Sequence, residues 1–409
     1  MVRYAIVGAG QRGAGYAELI AELPGAQVVA VAEPRAHQRE RLAREHGVTH
    51  VFSSWEELAA APRLADAAVV STQDSEHVGP AAALARKGYH LLVEKPLAPT
   101  PEECTELVHA VTEAGVLFAV CHVMRYRPYT RLVKRLVDEG RVGDVMSVQH
   151  LEPVGHWHHA HSYVRGNWRR TDQASFMLLA KSGHDIDWLR HVVGTSIERV
   201  SSFGSLRHFR PENQPAGAAD RCLDCGVEPS CPYSAKRLYL GMIRDGRTRW
   251  PVSVLTDDLT EAGVTAALRE GPYGRCVYAS DNDVVDHQVV AMEFAGGVTA
   301  TFTMTAFTPH MDRRTQIFGT RGYLDGDGDT VRVHDFVTGT TETCDAVSEG
   351  LDTGAGHAGG DAGLMDAFTT AVETGEAHHI LSGPAESLES HLAVFAAERA
   401  RLNGTVEQV

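Results

Sequence analysis

The sequence predicts an α/β protein with two parts: an N-terminal doubly wound parallel sheet, and a C-terminal α+β domain with an open-faced, mainly antiparallel sheet. Three observations predict this architecture. Short apolar runs alternate with helical patterns over the first third of the chain, as expected for parallel strands buried on both faces. A glycine-rich turn connects the first strand to the first helix. After Gly143 the strands alternate between apolar and polar residues, which indicates a sheet with one face in water.

The glycine-rich turn reads Gly8-Ala9-Gly10-Gln11-Arg12-Gly13 and precedes a helical pattern that continues to Leu23. Gly8 permits a tight turn, Gly10 lets a pyrophosphate approach the backbone, and Gly13 lets the helix pack closely on the strand. The helix N-terminus offers free N–H groups to the phosphates. The turn therefore predicts a Rossmann dinucleotide-binding domain.

The second strand ends at Glu33, about 20 residues after the glycines, where a carboxylate can accept the ribose 2′-hydroxyl. Because that carboxylate would repel a 2′-phosphate, NAD is favoured over NADP as the cofactor. Arg35 weakens this preference, since a nearby arginine can accept the phosphate.

The rest of the first domain, predicted at residues 1–123, alternates regularly. Helices are expected at 35–46, 55–61, 77–87 and 101–114, and strands at 51–52, 67–72, 89–93 and 116–122. Ligands bind beyond the carboxyl ends of the strands in such a sheet. We therefore expect Thr72, Gln73 and Asp74 to face the cofactor, and Lys95 to lie near the nicotinamide. A partly desolvated lysine has a lowered pKa and can act as an acid or base.

The second domain is predicted at residues 124–409. Its helices are expected at 129–139, 174–193, 361–374 and 385–402, and its strands at 145–152, 200–206, 284–294, 298–307, 315–318, 322–324 and 331–337. Residues 207–282 have little apolar periodicity and hold most of the cysteines. They are interpreted as a Cys-rich insertion.

Composition excludes several classes of function. The chain has 38 basic and 53 acidic residues, a net charge of −15. This charge disfavours binding to nucleic acid or to an anionic membrane. No apolar run approaches the ~20 residues of a membrane span, and no signal-peptide pattern is present. Seven cysteines in a chain of this length do not form a secreted disulfide framework, so a reducing cytoplasm is expected.

The glycine-rich turn, the loop from Thr72 to His77, Glu94-Lys95-Pro96 and Gly183-His184-Asp185-Ile186-Asp187-Trp188 resemble the Gfo/Idh/MocA oxidoreductases, over nearly the whole chain. The resemblance implies a Rossmann domain with an open-faced sheet, a bound NAD(P), and a sugar or cyclitol substrate. It also implies a homo-oligomer, a dimer or tetramer, that pairs through the open sheet face. Lys95 would be the catalytic lysine and His184 the histidine that borders the substrate. The motifs place Gln11, Arg12, His77 and Glu94 among the cofactor-binding residues.

The helix around His184 departs from the family pattern. Ala180 and Ser182 occupy positions where the family often has aspartate and glycine, and Lys181 lies three residues before His184. On a continuous helix Lys181, His184 and Asp185 share one face, because residues three and four apart are neighbours. We expect these three side chains to point together into the cleft as acid/base groups.

The polar, histidine-rich stretch at 156–170 is expected to border the same cleft. It offers hydrogen-bond donors for hydroxyl groups, and its arginines could recognise an anionic group on the sugar. The predicted substrate-binding residues are Arg125, Tyr126, His158, His161, Tyr163 and Arg165. A solvated surface loop with paired arginines, and a metal site built from its histidines, are alternatives.

Cys222-x-x-Cys225-(x)5-Cys231 is typical of a metal knuckle, and Cys276 could be the fourth ligand. Four thiolates would form a closed, structural zinc site. An iron–sulfur cluster is the competing metal centre, and free thiols are the alternative without metal.

Three functions follow from these residues. The first is NAD-dependent oxidation of a sugar or cyclitol hydroxyl, with Lys95 and His184 as acid/base groups. The second is what the resemblance implies, because some members of that family are glycosidases: redox-neutral hydrolysis of an acidic sugar glycoside, in which transient oxidation, elimination, water addition and re-reduction leave NAD unchanged. The third is a non-catalytic, NAD-bound regulator.

Overall fold

The computed structural model describes residues 1–346 and 359–409 of the 409-residue chain. Two sheets organise it. The first has six parallel strands in the order β3-β2-β1-β4-β5-β6. Its strands are β1 (Val2–Val7), β2 (Ala26–Ala32), β3 (His50–Phe52), β4 (Ala67–Val70), β5 (His90–Val93) and β6 (Phe118–Val120). Its helices are α1 (Gln11–Glu22), α2 (Ala36–His46), α3 (Trp55–Ala60), α4 (Val78–Arg86) and α5 (Pro101–Ala114).

Within the described residues, the second sheet has nine strands in the order β14-β13-β12-β11-β7-β10-β9-β8-β15, and only β7 and β10 pair in parallel. The strands are β7 (Val145–Pro153), β8 (Ile197–Ser205), β9 (His287–Phe294), β10 (Thr299–Thr305), β11 (Arg314–Gly319), β12 (Gly322–Gly326), β13 (Thr330–Asp335), β14 (Thr341–Asp345) and β15 (Val406–Gln408). The helices after β6 are α6 (Pro128–Asp138), α7 (His156–His159), α8 (Gly183–Val193), α9 (Gly241–Arg244), α10 (Glu261–Glu270), α11 (Gly360–Thr374) and α12 (Pro384–Asn403).

These two sheets confirm the predicted fold class. Sequence analysis missed the edge strands β14 and β15, which are short and largely polar. It also predicted one continuous helix at 174–193. The structure instead has a widened, π-type turn at Leu178–Ser182 before α8 begins at Gly183.

The C-terminal helices connect the two sheets. Leu364, Met365 and Phe368 of α11 belong to the same apolar core as Tyr4 and Ile6 of β1. Helix α12 packs on β8 and also contacts α5 and α8. The expected domain boundary after residue 123 stays a prediction, since α11 returns to the first sheet. Among the described residues, no helix has the length and apolar character needed to cross a membrane.

Candidate active site

The glycine-rich turn has the backbone geometry that a phosphate-binding turn needs. Gly8 has φ +90°, and a Cβ there would lie 2.5 Å from the Ser71 carbonyl oxygen. A Cβ on Gly13 would lie 1.9 Å from the Gly8 carbonyl oxygen, so only glycine fits. Helix α1 begins at the exposed Gln11 without a side-chain cap or an acidic residue in its first turn. Its N-terminus therefore favours an anionic ligand.

Glu33 lies at the end of β2, beside this turn. Its carboxylate accepts hydrogen bonds from the Ala9 backbone N–H at 2.8 Å and from Arg35 Nε at 2.8 Å. Burial opposes ionisation, but the bonds from Arg35 and from the backbone lower the pKa of Glu33 below its ordinary value. An ionised carboxylate and the Arg35 guanidinium thus lie together where the sequence predicts the ribose.

His77 holds the loop after β4 in place. Its Nδ1 lies 2.7 Å from the Pro96 carbonyl oxygen, and its Nε2 lies 3.3 Å from the Thr72 carbonyl oxygen. Thr72 closes the loop by donating to the Glu76 carbonyl at 2.9 Å. Because His77 is 1% exposed, it positions the ends of β4 and β5, whereas Gln73 is exposed at the rim.

Glu94 anchors the end of β5. It accepts hydrogen bonds from Arg12 Nε at 2.5 Å, from the Tyr16 hydroxyl at 2.8 Å and from the Lys95 backbone N–H at 3.0 Å. Arg12 also pairs with Asp361 of α11 at 2.7 Å. The side chains of Arg12 and Glu94 therefore connect α1, β5 and α11, and their contact with cofactor stays a prediction.

Lys95 extends from the first sheet to the second domain. Its Nζ donates to the Ala180 carbonyl oxygen at 2.5 Å, in the widened turn before α8. Burial lowers the pKa of Lys95 below that of an ordinary lysine, although Asp74 and Glu94 partly oppose this effect. A neutral amine, the form that accepts a proton, is therefore more accessible than on a surface lysine.

His184 lies on the first turn of α8, and its ring contacts the edge of the His122 ring at a centroid distance of 6.0 Å. Three residues later, Asp187 is fully buried and pairs with Arg125 at 2.6 Å. Arg125 and Asp187 thus form a structural ion pair beneath His184.

Lys181 and Asp185 belong to one buried ionic network. Lys181 Nζ lies 3.3 Å from Glu152, and Arg313 bridges Glu152 at 2.6 Å and Asp185 at 2.5 Å. His150 Nε2 contacts the other side of this network, 3.1 Å from Asp185. Burial would raise the pKa of Asp185, but Arg313 and His150 hold it well below its ordinary value.

The network corrects the expectation for Asp185. This side chain is 0% exposed and fully paired, so it orients Arg313 and His150 and does not reach the cleft. The physical reason is the widened turn at Leu178–Ser182, which breaks the helical phase that would have aligned Lys181 with Asp185.

The predicted substrate-binding residues of the stretch at 156–170 fall into two groups, and the first group lies near the domain junction. His158 lies near Lys181, whose charge adds to burial in lowering the pKa of His158 well below its usual value. Tyr163 lies near Glu152 and Asp74, and burial raises its pKa strongly. His158 and Tyr163 therefore join Lys95, Lys181 and His184 around the junction of the two domains.

Four predicted substrate-binding residues lie in the interior instead. His161 accepts or donates a hydrogen bond at 2.8 Å with the Tyr239 hydroxyl, and Arg165 donates to the Arg275 carbonyl at 2.7 Å. Arg125 pairs with Asp187, and the Tyr126 hydroxyl accepts the Leu381 backbone N–H at 2.8 Å. Each of the four is at most 2% exposed, so internal bonds use the polar groups expected to bind sugar.

All four predicted metal-ligating cysteines line a single pocket, together with Arg165: Cys222, Cys225, Cys231 and Cys276. The pocket lies within the insertion and is separate from Lys95.

Sequence analysis missed Glu152, His150 and Arg313. The alternation of β7 was a usable signal for the first two, because residues 150 and 152 share a face of the strand. Arg313 precedes β11 in a loop, and no local pattern marks it.

Buried histidines near the site predict acid sensitivity. Burial lowers the pKa of His159 to about 4 from an ordinary 6.5. Between these values the unfolded chain binds a proton that the folded chain excludes, so stability falls on acidification. The His159 ring stacks on Phe209, and phenylalanine preserves this contact. Between pH 7 and pH 5, we expect His159→Phe to lose about 2 kcal/mol less unfolding free energy than the wild type. Urea unfolding at both pH values measures this.

His109→Phe is the control, since the His109 side chain is 70% exposed. This variant should keep the wild-type pH dependence. An unchanged slope in His159→Phe would show that His159 is protonated in the folded protein.

Family models match two segments of the chain. One, described as oxidoreductase family, NAD-binding Rossmann fold, matches residues 2–122. The other, described as oxidoreductase family, C-terminal alpha/beta domain, matches residues 134–397.

Individual proteins are similar over shorter stretches. The 2,7-anhydro-N-acetylneuraminate hydratase of Escherichia coli (strain K12) is 30% identical over 212 residues, 52% of this chain and 55% of that protein. The scyllo-inositol 2-dehydrogenase (NAD(+)) of Bacillus subtilis (strain 168) is 29% identical over 231 residues, 54% of this chain and 62% of that protein. The chain thus matches less than two thirds of either relative's length.

A solved structure shows the same fold over the whole chain. It is that of an oxidoreductase from Agrobacterium radiobacter in complex with NAD+, L-tartaric acid and magnesium. The TM-score is 0.71 at 14% identity, covering 100% of this chain and 98% of the other. Because the two family models together match most of its length, this chain belongs to the Gfo/Idh/MocA family of oxidoreductases, with an NAD-binding Rossmann domain.

Proposed function

We propose that the protein oxidises or reduces a hydroxyl-bearing carbon of a sugar or cyclitol, with NAD as the coenzyme. The observation that carries this proposal is the position of Lys95. Its amine leaves the carboxyl edge of the coenzyme-binding sheet and ends near Lys181 at the Ala180 carbonyl, in the turn before the helix of His184. A base with a lowered pKa therefore lies between the coenzyme domain and the cleft.

The residues of the chain have separate tasks in this reaction. When bound, NAD supplies the redox chemistry by accepting a hydride from the substrate carbon. Lys95, in its neutral form, accepts the proton of the reacting hydroxyl. We assign to His184 a hydrogen bond to the same or an adjacent hydroxyl. Lys181, held by Glu152, supplies a positive charge that favours the developing alkoxide.

Hydroxyl groups are the proposed basis of substrate recognition. His158 and Tyr163 offer neutral hydrogen-bonding groups, and the Trp157 and Trp250 rings lie beside His158 at centroid distances of 5.8 and 4.9 Å. The expectation of an acidic sugar depended on arginines of the same stretch. Arg165 is buried, and Arg169 is paired with Asp281 at 2.9 Å, so we do not assign them an anionic group.

Replacement of Lys95 tests the catalytic assignment. We expect Lys95→Ala to lower kcat by about 10²- to 10⁴-fold while NAD still binds, because the amine acts in proton transfer. In the wild-type enzyme, kcat for oxidation should rise with pH to a plateau. Its midpoint should lie below an ordinary lysine pKa, since burial lowers the pKa of Lys95.

The matched control is Lys87→Ala. Lys87 also donates to backbone carbonyls, those of Ala59 and Ala61, but it follows α4 at the opposite end of the sheet. This variant should keep full kcat. If Lys95→Ala retained wild-type turnover, the catalytic assignment of Lys95 would be wrong.

Glu33 and Arg35 are proposed to set the coenzyme preference. The ionised Glu33 carboxylate repels a 2′-phosphate, and Arg35 attracts one. We expect Glu33→Ser to raise kcat/KM for NADP relative to NAD at least tenfold, equivalent to about 1.4 kcal/mol. Arg35→Ala should change the ratio in the opposite direction. If neither substitution changed the ratio of kcat/KM for NADP to kcat/KM for NAD from its wild-type value, this role would be excluded.

A redox-neutral lyase or hydratase reaction is the second candidate. Two relatives of about 30% identity are 2,7-anhydro-N-acetylneuraminate hydratases, from Escherichia coli and Mediterraneibacter gnavus. The two candidates differ in coenzyme turnover. A dehydrogenase accumulates NADH in proportion to product, whereas the redox-neutral enzyme releases product with NADH staying below one equivalent per active site. Sugars, cyclitols, anhydro-sugars and aryl glycosides should be screened with both readouts in parallel.

We also propose that the open face of the second sheet pairs with a second copy. Phe203 and Val289 lie opposite each other on this face and are 72% and 40% exposed, whereas α12 covers the other face. Phe203→Asp should lower the molar mass measured by light scattering. Phe336→Asp, at an exposed turn after β13, is the control and should not change it. We separately propose a cytoplasmic location, because the number of cysteines in a chain of this length is not that of a secreted disulfide framework.

A further inference from the structure

We propose that Cys222, Cys225, Cys231 and Cys276 bind an iron–sulfur cluster that fastens the insertion to the active-site segment at 156–165. The site is independent of the proposed hydroxyl oxidation, and the cluster is assigned a structural role. Four observations support it: the convergence of the cysteines, the backbone groups that point at their sulfurs, an unpaired buried arginine, and the spacing of the sulfurs.

The fold brings together cysteines that are distant in the chain. Cys222 begins a short helical turn, Cys222–Asp224, and Cys225 and Cys231 follow in the next loop. Cys276 lies more than fifty residues after Cys222. A β-bridge between Arg221 and Arg275, with a hydrogen bond from the Cys276 N–H to the Asp220 carbonyl at 2.7 Å, places it beside the others.

Backbone N–H groups point at two of the sulfurs. The N–H of Tyr233 donates to Cys231, and those of Tyr278 and Ala279 donate to Cys276. Backbone donors of this kind also hydrogen-bond the cysteine sulfurs that hold an iron–sulfur cluster.

Arg165 supplies the strongest electrostatic observation. Its side chain is 1% exposed, and Nη2 donates to Cys222 Sγ at 3.4 Å and to the Tyr233 carbonyl at 2.9 Å. Within residues 1–346 and 359–409, Nη1 has no hydrogen-bond partner and no carboxylate pairs with this guanidinium. A buried cation without a counter-charge is costly. A cluster ligated by four thiolates carries net negative charge and would supply one.

The spacing of the sulfurs favours a cluster over a zinc ion. Zinc holds sulfur at about 2.3 Å, so its four thiolates lie about 4 Å from one another. In the described part of the chain, no three of these sulfurs are all within 4.8 Å of one another. An iron–sulfur cluster is larger and binds cysteines from its corners. We therefore propose an iron–sulfur cluster in place of the zinc site expected from the sequence.

The cluster would act on the cleft through Arg165. This residue ends the turn Ala160–Arg165, which also carries His161 and Tyr163. The apolar cores of the insertion are small, so the fold there depends on another source of stability. Loss of the cluster should release Arg165 and displace Tyr163 from the cleft.

Metal analysis of full-length protein purified without oxygen tests the proposal. We expect about four iron atoms and matching acid-labile sulfide per chain, with a visible absorption band that bleaches on reduction by dithionite. Cys231→Ala and Cys276→Ala should each lose most of the iron. Cys344→Ala, outside the pocket, is the matched control and should retain it.

Binding of NAD by each variant shows that the variant has folded. Because metal content is measured without substrate, failure of the cluster proposal is distinguishable from failure of the proposed reaction. One equivalent of zinc with no iron would overturn the cluster, and a metal content unaffected by both cysteine substitutions would overturn the site.

Discussion

The hydrogen bond from Lys95 to the Ala180 carbonyl connects the two halves of the candidate site. Lys95 belongs to the sheet that binds the coenzyme, and Ala180 belongs to the turn that leads into the helix of His184. The amine of Lys95 is therefore positioned by both domains at once. A shift of either domain would change the distances from this amine to the coenzyme and to the substrate. Proton transfer depends steeply on such distances.

Two buried ionic networks support this contact. On the coenzyme side, Arg12, Glu94 and Asp361 connect the first helix, the strand before Lys95 and a C-terminal helix. On the substrate side, Arg313 connects Glu152 with Asp185. Removing one member of either network would leave a buried charge unpaired, which costs more than the pair contributes. We infer that these networks hold the junction in register.

The segment at 156–165 has a different role on each side. His158 and Tyr163 lie toward the cleft, whereas His161 and Arg165 bond to the insertion. The insertion thus acts on the cleft without contributing one of the acid/base groups. Its cysteine pocket, which Arg165 of this segment lines, is separate from the proposed catalytic amine. We infer that the stability of the insertion affects the position of His158 and Tyr163.

The sequence alone determined the fold class, the glycine-rich turn and the acid at the end of the second strand, and it singled out Lys95 and His184 for the proposed chemistry. Each of these is encoded in a contiguous motif, because glycine geometry and buried-strand patterns depend on near neighbours. Only the tertiary structure decided which polar residues are internal. Arg125, His161 and Arg165 have the same local composition as cleft residues, yet partners from distant segments bury them. Arg313 reaches Asp185 from a loop without a pattern, and the turn at Leu178–Ser182 interrupts the helix on which Lys181 and Asp185 were expected to align. Both features depend on contacts between distant segments, which local spacing does not record.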